Sequence, residues 1–194
     1  MKQTVPLPQA YRLLNHGPTV LVCAASGGRR NVMAAAWAMP LDFDPPKVAV
    51  VIDKNTYTRG LIEASGCFTL NVPCRALADA TFTVGSTSAK DEGPQDPDKF
   101  DRYGLATFEG PATGLPLIEG CVAWLECRVL PEPRLQQAYD LFLGAVVAAQ
   151  ADVRVFSAGR WHFEPEQSSL RTLHHFAGGA FFSVADQLQA RRLP

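Results

Sequence analysis

Small residues stand beside an amide and an indole in one segment, 31–37. Its members are Asn31, Val32, Met33, Ala34, Ala35, Ala36 and Trp37. The alanines would let a flat aromatic ligand lie close to the backbone, whose N–H and C=O groups could bond the polar edge of that ligand. Tight packing inside the protein explains the same residues without a ligand. The segment is therefore a candidate surface for a flat ring, with the packing explanation left open.

Two further segments combine hydroxyl groups with lysines and indicate an anion site. The first contains Asp53, Lys54, Asn55, Thr56 and Thr58, and the second contains Gly85, Ser86, Ser88 and Lys90. The first segment follows an apolar strand and opens a helical turn, where backbone N–H groups attract phosphate. The second could close over the same anion. Helix capping and a solvated turn are the alternative explanations for these residues.

Several common catalytic motifs are absent from the sequence. It contains no G-x-G-x-x-G, G-x-x-x-x-G-K-[ST], H-E-x-x-H or G-x-S-x-G, so dinucleotide-fold, P-loop, zincin and hydrolase mechanisms lose their main support. The four histidines are His16, His162, His174 and His175. Adjacent residues on a strand point to opposite faces, so His174 and His175 are poorly arranged to share a metal. We expect no metal site.

Composition limits the class of protein. The 194 residues include 18 Lys and Arg against 19 Asp and Glu, and charged residues make up only 19%. The length suits one domain, 1–194, and the apolar content argues against disorder. Without a basic surplus, a nucleic-acid partner is not expected. The charged fraction lies below the usual ~25%, which indicates either a large core or surface that another molecule covers.

The cysteines indicate the redox compartment of the protein, and the apolar runs indicate whether it contacts a membrane. The five cysteines are odd in number and never spaced C-x-x-C, which argues against a disulfide framework or a zinc cage. Residues 1–11 have no apolar signal-peptide core, and no apolar run approaches the ~20 residues that span a bilayer. We therefore expect a cytoplasmic protein with reduced thiols and no membrane contact.

Strands dominate the predicted secondary structure. We predict them at 19–26, 31–37, 47–53, 67–73, 121–130 and 139–149, with Gly27–Gly28 as a hairpin turn. Helices are predicted at 8–15, 58–64, 75–84 and 184–192, and a loop at 85–97. Regular βαβ alternation is missing. The fold class expected is mainly β, an antiparallel barrel with peripheral helices.

The order of several motifs resembles a known family. They comprise the strand 20–24, segment 31–37, Pro45–Pro46 with its strand, the Thr56 and Thr58 turn, 62–68, Leu70-Asn71-Val72-Pro73, Asp98-Lys99-Phe100, Leu125-Glu126-Cys127 and Leu143-Gly144-Ala145-Val146. Together they are similar to the flavin reductase-like, or flavoredoxin-type, FMN-binding split-barrel family. The likeness runs from about residue 20 to residue 147 and rests on the number and order of the motifs.

The resemblance implies a six-stranded antiparallel split β-barrel that forms a homodimer and binds FMN, or else FAD, near the subunit interface. Segment 31–37 would lie along the isoalloxazine ring, and the Thr56–Thr58 turn and the 86–90 loop would hold the ribityl phosphate. Asn71 would order the strand end beneath the flavin. The flavin would carry the chemistry, with NAD(P)H as electron donor, so no catalytic side chain is expected.

The sequence departs from this family at two places. Tyr139 occupies a position where many relatives have a histidine facing the nicotinamide, and His174 or His175 could supply that imidazole instead. The Gly-Ser loop is lengthened by residues 91–96. The leading hypothesis is an FMN-dependent oxidoreductase that passes electrons from NAD(P)H to a free flavin or another acceptor. The alternatives are a flavoredoxin-like electron carrier and a non-catalytic binder of haem or flavin.

Overall fold

The structure, a computed structural model, describes residues 1–91, 96–185 and 187–192. Its strands are β1 (Lys2–Thr4), β2 (Val20–Ser26), β3 (Arg29–Ala35), β4 (Ala38–Phe43), β5 (Pro46–Val51), β6 (Cys67–Val72), β7 (Thr107–Glu109), β8 (Pro116–Ile118), β9 (Ala123–Leu130), β10 (Leu141–Asp152), β11 (Phe156–Ser157), β12 (Arg160–Trp161), β13 (Leu173–Ala177) and β14 (Ala180–Ser183). The α-helices are α1 (Tyr57–Ser65), α2 (Ala78–Ser86), α3 (Lys99–Arg102) and α4 (Pro133–Tyr139). Short 3-10 helices occupy Leu7–Leu13, Arg75–Leu77, Ala89–Asp91 and Pro165–Leu170.

A large antiparallel sheet organises the molecule. Its strand order is β3-β2-β6-β9-β10-β5-β4, and β1 pairs with β10 beside that path. The expected mainly β, antiparallel architecture is confirmed. The six strands predicted from the sequence all belong to this sheet, and β1 and β4 bring it to eight. Neither was predicted, because β1 has only three residues and β4 carries Pro40 and Asp42 within an apolar pattern.

Both faces of the central strands are covered. Along β2, Val20 and Val22 belong to the larger apolar core, whereas Leu21 and Cys23 point the other way into a smaller one. Burial on both faces explains why this strand is a continuous apolar run and does not alternate with polar residues. The smaller core includes residues that pack beneath α2, and it supports the sheet where the candidate site lies.

The hairpin of β2 and β3 confirms the prediction of a turn at Gly27–Gly28. The two strands pair in register from Val20 with Ala35 to Ser26 with Arg29. Helix α1 also begins as predicted, with Thr56 at its N-cap position, and it ends at Gly66, whose left-handed backbone (φ 69°) closes the last turn. These elements hold segments 31–37 and 53–58 near one another.

Three local predictions are wrong. The described residues of 184–192 form no helix, and Leu188 there is 91% exposed, so its side chain does not provide the apolar packing that stabilises a short helix. Tyr139 ends helix α4 and does not begin a strand, because Pro133 starts the helix and Asp140 caps it in a left-handed conformation. Gly85 and Ser86 belong to the last turn of α2 and not to a loop.

All five cysteines are free, and four of them are buried. Residues 92–95, which include most of the predicted insertion in the Gly-Ser loop, lie outside the described residues. None of the helices in the described ranges is long and apolar enough to cross a bilayer.

Candidate functional site

A cavity of about 550 Å³ opens where β3 ends. Segment 31–37 contributes Met33, Ala34, Ala35, Ala36 and Trp37 to its wall, and the two hydroxyl-rich segments contribute Asp53, Gly85 and Ser86. Tyr139 and His175 line it as well. We call this space the main cavity. Ten of the residues singled out from the sequence thus border one space, although they come from five separate parts of the chain.

Helix α2 forms the wall of the main cavity that packs against β3. Gly85 lies so close to the strand that a Cβ atom at this position would stand 2.9 Å from Cβ of Ala34. Behind this contact, the buried Lys99 donates from Nζ to the carbonyl oxygens of Val84 (2.8 Å), Thr87 (2.6 Å) and Val32 (3.3 Å). One ammonium group therefore joins the C-terminal end of α2 to β3.

A hairpin formed by β13 and β14 closes another side of the main cavity. The backbone N–H of His175 donates to Oγ1 of Thr19 (2.9 Å), which anchors the hairpin to the chain just before β2. The rings of His175 and Phe181 pack edge-on across the hairpin with centroids 5.5 Å apart. At its tip, Gly179 (φ 85°) lies against the ring of Phe82 on α2, where an added Cβ atom would stand 3.0 Å from the ring. The hairpin thus spans from β2 to α2.

A second cleft lies at the start of α1, and Lys54, Thr56 and Lys90 line it. The hydroxyl of Thr56 donates to the carbonyl of Asp53 (2.8 Å), so it does not cap the N–H groups of the first helical turn. Unpaired N–H groups at a helix start carry partial positive charge, and the lysines add to it. Asp53 lines the main cavity and Lys54 lines the cleft, so consecutive residues border the two spaces.

Arg59 links the walls of the two spaces. Its guanidinium lines the second cleft, pairs with the carboxylate of Asp140 in the main cavity wall, and donates to the carbonyl of Gln136 (2.9 Å). It also pairs with Glu63 one turn later on α1 (2.8 Å). Because Arg59 is nearly buried, these bonds fix the end of α4, and with it Tyr139, relative to α1.

Four of the predicted residues are buried in the protein and are not among the residues that line either space. Nδ2 of Asn31 donates to Oγ1 of Thr58 (2.8 Å), so these two candidates from separate segments bond to each other and hold α1 against β3. Asn71 donates to the carbonyl of Leu21 (3.0 Å) and accepts from the N–H of Ile118 (2.8 Å). The Val32 side chain is fully buried.

The remaining predicted residues lie at the surface or on another face. Asn55 and Ser88 are exposed, and each takes part in a local turn: the N–H of Asn55 donates to Asp53, and Oγ of Ser88 accepts from the N–H of Lys90. His174 points away from the main cavity towards His16, with ring centroids 5.6 Å apart. Only His175 of the adjacent pair borders the main cavity.

The His16 and His174 rings form a neutral, partly buried pair at the base of the hairpin. Nε2 of His16 lies 3.0 Å from Oγ1 of Thr172, and Trp161 packs edge-on against the same ring. Burial, and secondarily the neighbouring His174, lowers the pKa of His16 to about 4. Burial lowers the pKa of His174 as well.

Among the described residues, no group of three His, Cys, Asp or Glu side chains could hold a metal ion.

Sequence reasoning missed several residues of the main cavity wall, namely Thr19, Val51, Thr81, Phe82, Asp140 and Phe181. Two of them had a signal in the sequence. Thr81 precedes Gly85 by four residues and Phe82 precedes Ser86 by four, which places each pair on one helix face. Predicting a loop from Gly85 onwards removed that signal. Phe181 could be predicted at the cavity only by taking Gly178–Gly179 as a hairpin turn, because that turn pairs Phe181 with His175.

Comparison with known proteins assigns this arrangement to a family. The model of the flavin reductase like domain matches residues 12–166. The chain belongs to this family. A flavin reductase of Pseudomonas putida is 34% identical over 153 residues, which cover 75% of this chain and 81% of that protein. An uncharacterized Escherichia coli protein, YddH, is 48% identical over 189 residues, which cover 96% of both chains.

Solved structures of the family have the same fold. The crystal structure of an FMN-binding domain of a flavin reductases-like enzyme from Shewanella baltica superimposes with a TM-score of 0.92 at 47% identity, covering 98% of both chains. Flavoredoxin of Desulfovibrio vulgaris superimposes with a TM-score of 0.75 at 24% identity, covering 90% of both chains. The predicted family is thereby confirmed, and the fold matches that of its FMN-binding members.

Proposed function

We propose that this protein is an FMN-dependent oxidoreductase that takes hydride from NAD(P)H and passes electrons to a free flavin or another acceptor. The observation that carries the proposal is an apolar cavity and a lysine-bearing cleft that are bordered by consecutive residues, Asp53 and Lys54. FMN has the same division into a flat ring and an anionic phosphate. The names of the Pseudomonas and Shewanella relatives support the same choice.

The residues present fit this cofactor. The alanines 34–36 present little more than backbone to the main cavity, which suits the face of an isoalloxazine ring. Lys54, Lys90 and the first turn of α1 would bind the phosphate through charge and N–H groups. Asn31, Thr58 and Asn71 would act indirectly, by holding α1 and the strands in place. Asn55 and Ser88 would shape the turns that carry the two lysines.

The electron donor would enter from the side lined by aromatic residues. FMN, when bound, would supply the hydride acceptor and the two-electron chemistry. His175 and Tyr139 both border the main cavity, and their rings can stack on a nicotinamide or donate a hydrogen bond to its carboxamide. His175 is therefore our choice for the imidazole that other family members carry near the position of Tyr139. His174 has no such role in the proposal, because it faces His16.

Spectroscopy of the purified protein tests the proposal. We expect a flavin absorption spectrum, or its appearance on titration with FMN, and bleaching when NADH or NADPH is added without oxygen. A Lys54→Met/Lys90→Met double variant should bind FMN at least tenfold more weakly while binding riboflavin, which lacks the phosphate, as the parent does. Bound FMN that neither donor bleaches would indicate an electron carrier, and a Soret band would indicate a haem binder. A protein that binds no flavin would refute the proposal.

We also propose a homodimer in the cytoplasm. Strand β4 is an end strand of the sheet, and Met39, Leu41 and Phe43 alternate along it with their apolar side chains exposed. Such a stripe on an end strand is unfavourable in water and is typical of an interface. It also agrees with the low fraction of charged residues. Sedimentation should give twice the chain mass, and a Leu41→Lys variant should shift the protein towards monomer.

The free thiols favour a reducing compartment.

A further inference from the structure

One hydroxyl group on α2 differs from the others on that helix. The hydroxyls of Thr83, Ser86 and Thr87 each donate to the carbonyl oxygen four residues earlier, at 2.7, 2.8 and 2.9 Å. Thr81 stands on the same helix and has a 0% exposed side chain, yet its Oγ1 has no hydrogen-bond partner among the residues that the structure describes. The helix backbone therefore does not account for this hydroxyl.

The position of Thr81 indicates where a partner for its hydroxyl could lie. It borders the main cavity, one helical turn before Gly85, which touches Ala34 of β3. A buried hydroxyl without a partner costs folding free energy, and nearly all such groups in folded proteins are paired with protein, water or ligand. Because Thr81 lines the cavity wall and does not bond its own helix, a group inside the cavity is the candidate partner for its hydroxyl.

We propose that the Thr81 hydroxyl forms a hydrogen bond with the polar edge of the flavin ring in the main cavity. The inference rests on the proposed function, because it takes FMN as the occupant. It assigns to α2 a role in recognising the ring, in addition to packing against β3. The hydroxyl can donate to a ring carbonyl or nitrogen or accept from a ring N–H, all of which the flavin edge offers.

Replacing Thr81 with valine removes the hydroxyl and keeps the shape of the side chain. Without flavin, Thr81→Val should melt about 2–4 °C higher than the parent, because a methyl group replaces an unpaired polar atom. Its dissociation constant for FMN should rise about tenfold, since one hydrogen bond is lost. Thr81→Ser should keep the parent affinity. These two opposite effects distinguish a ligand contact from a residue with a merely structural role.

Thr83→Val is the matched control, because it removes a hydroxyl from the same helix at a half-buried position whose bond is internal to the helix. It should leave FMN affinity unchanged. Parent-like FMN affinity in Thr81→Val would overturn the inference, as would a lower melting temperature without flavin, or an effect confined to the KM for NADH. In all three cases the parent protein still binds FMN, so the proposed function stands. A parent protein that binds no FMN would refute both.

Discussion

The main cavity has a closely packed floor and an exposed rim, and the two are built in different ways. The cavity floor consists of Ala34, Thr81 and Gly85, with Lys99 fixed behind it by backbone carbonyls. The cavity rim consists of Trp37, Tyr139 and Phe82, whose side chains are 75%, 69% and 46% exposed. Contacts in the floor also hold the fold together. We therefore expect floor substitutions to change folding and binding together, and rim substitutions to change binding alone.

The strongest test of this contrast is Lys99→Met. The substitution removes the donor of three buried carbonyl groups, and each carbonyl left unpaired costs roughly 1–3 kcal/mol. We expect a loss of about 4 kcal/mol in the free energy of unfolding, because apolar packing of the methionine offsets part of the cost. FMN affinity should fall as well, since α2 is no longer fixed to β3. Urea unfolding and FMN titration measure the two effects.

Lys90→Met is the matched control for that experiment. Lys90 lies nine residues before Lys99 but is exposed in the second cleft. Its substitution should change unfolding by less than about 0.5 kcal/mol, as surface substitutions usually do. It should still weaken FMN binding. Equal stability losses in the two variants would show that Lys99 does not hold the floor of the main cavity.

The two adjacent histidines of β13 repeat the contrast within one strand, because His174 is packed against His16 while His175 is exposed at the main cavity. Burial places the pKa of His16 near 4, below the value of about 6.5 in an unfolded chain. The unfolded state therefore binds more protons between these values. We therefore expect this contribution to stability to be full above pH 6.5 and to fall by about 3 kcal/mol as the pH decreases to 4. His174 contributes in the same direction.

Replacing His16 with asparagine isolates this contribution. The variant is expected to lose stability at neutral pH, where the packing of the neutral ring is removed, and to show a shallower decline between pH 6.5 and pH 4. Unfolding curves at several pH values give the slope for each protein. An unchanged slope in His16→Asn would mean that His16 is not the group that makes the base of the hairpin sensitive to acid.

Gly85→Ala tests the closest contact of the floor. The new Cβ would stand 2.9 Å from Cβ of Ala34, and neither atom can move without its backbone. Overpacking of this kind costs roughly 1–3 kcal/mol, while the better helix propensity of alanine returns up to ~1 kcal/mol. We expect a net loss of about 1 kcal/mol in the free energy of unfolding. Calorimetry measures it, together with weaker FMN binding.

Gly60→Ala provides the comparison for that substitution. Gly60 lies within α1, and a Cβ there would meet nothing within 4 Å. Alanine should therefore stabilise the protein by roughly 0.5–1 kcal/mol through helix propensity alone. If both glycine variants were stabilised, the contact between α2 and β3 would be looser than the structure indicates, and the floor would not be a rigid surface.

The floor and the rim also differ in how far the sequence predicts them. Segment 31–37 could be predicted because its run of small residues stands out in the composition. The Gly27–Gly28 turn before it also marks the hairpin that carries the segment. The bond between Asn31 and Thr58 was not predictable, because it depends on how α1 crosses β3. The sequence suggested ligand contacts for both residues, whereas the structure has each satisfying the other in part.

The far side of the main cavity was harder to predict, for a physical reason. Phe82 and Phe181 enter it from elements that are distant in sequence, and these elements are in contact where Gly179 packs against the Phe82 ring. The helix predicted at 184–192 fails because Leu188 finds no apolar partner. Hydrophobic spacing predicts local structure well where tertiary packing agrees with it, and it fails at a chain end that has no packing.

The smallest effect on stability is expected at the rim, in Tyr139→Ala. The ring is 69% exposed, and its neighbour Asp140 is held independently by Arg59, so the free energy of unfolding should change by less than about 0.5 kcal/mol. Stacking of a nicotinamide on this ring would contribute about 1 kcal/mol, so its loss should raise the KM for NAD(P)H roughly fivefold. FMN affinity should not change. A variant that loses FMN affinity or stability instead would place Tyr139 with the floor, and the entry side of the electron donor would then have to be sought at His175.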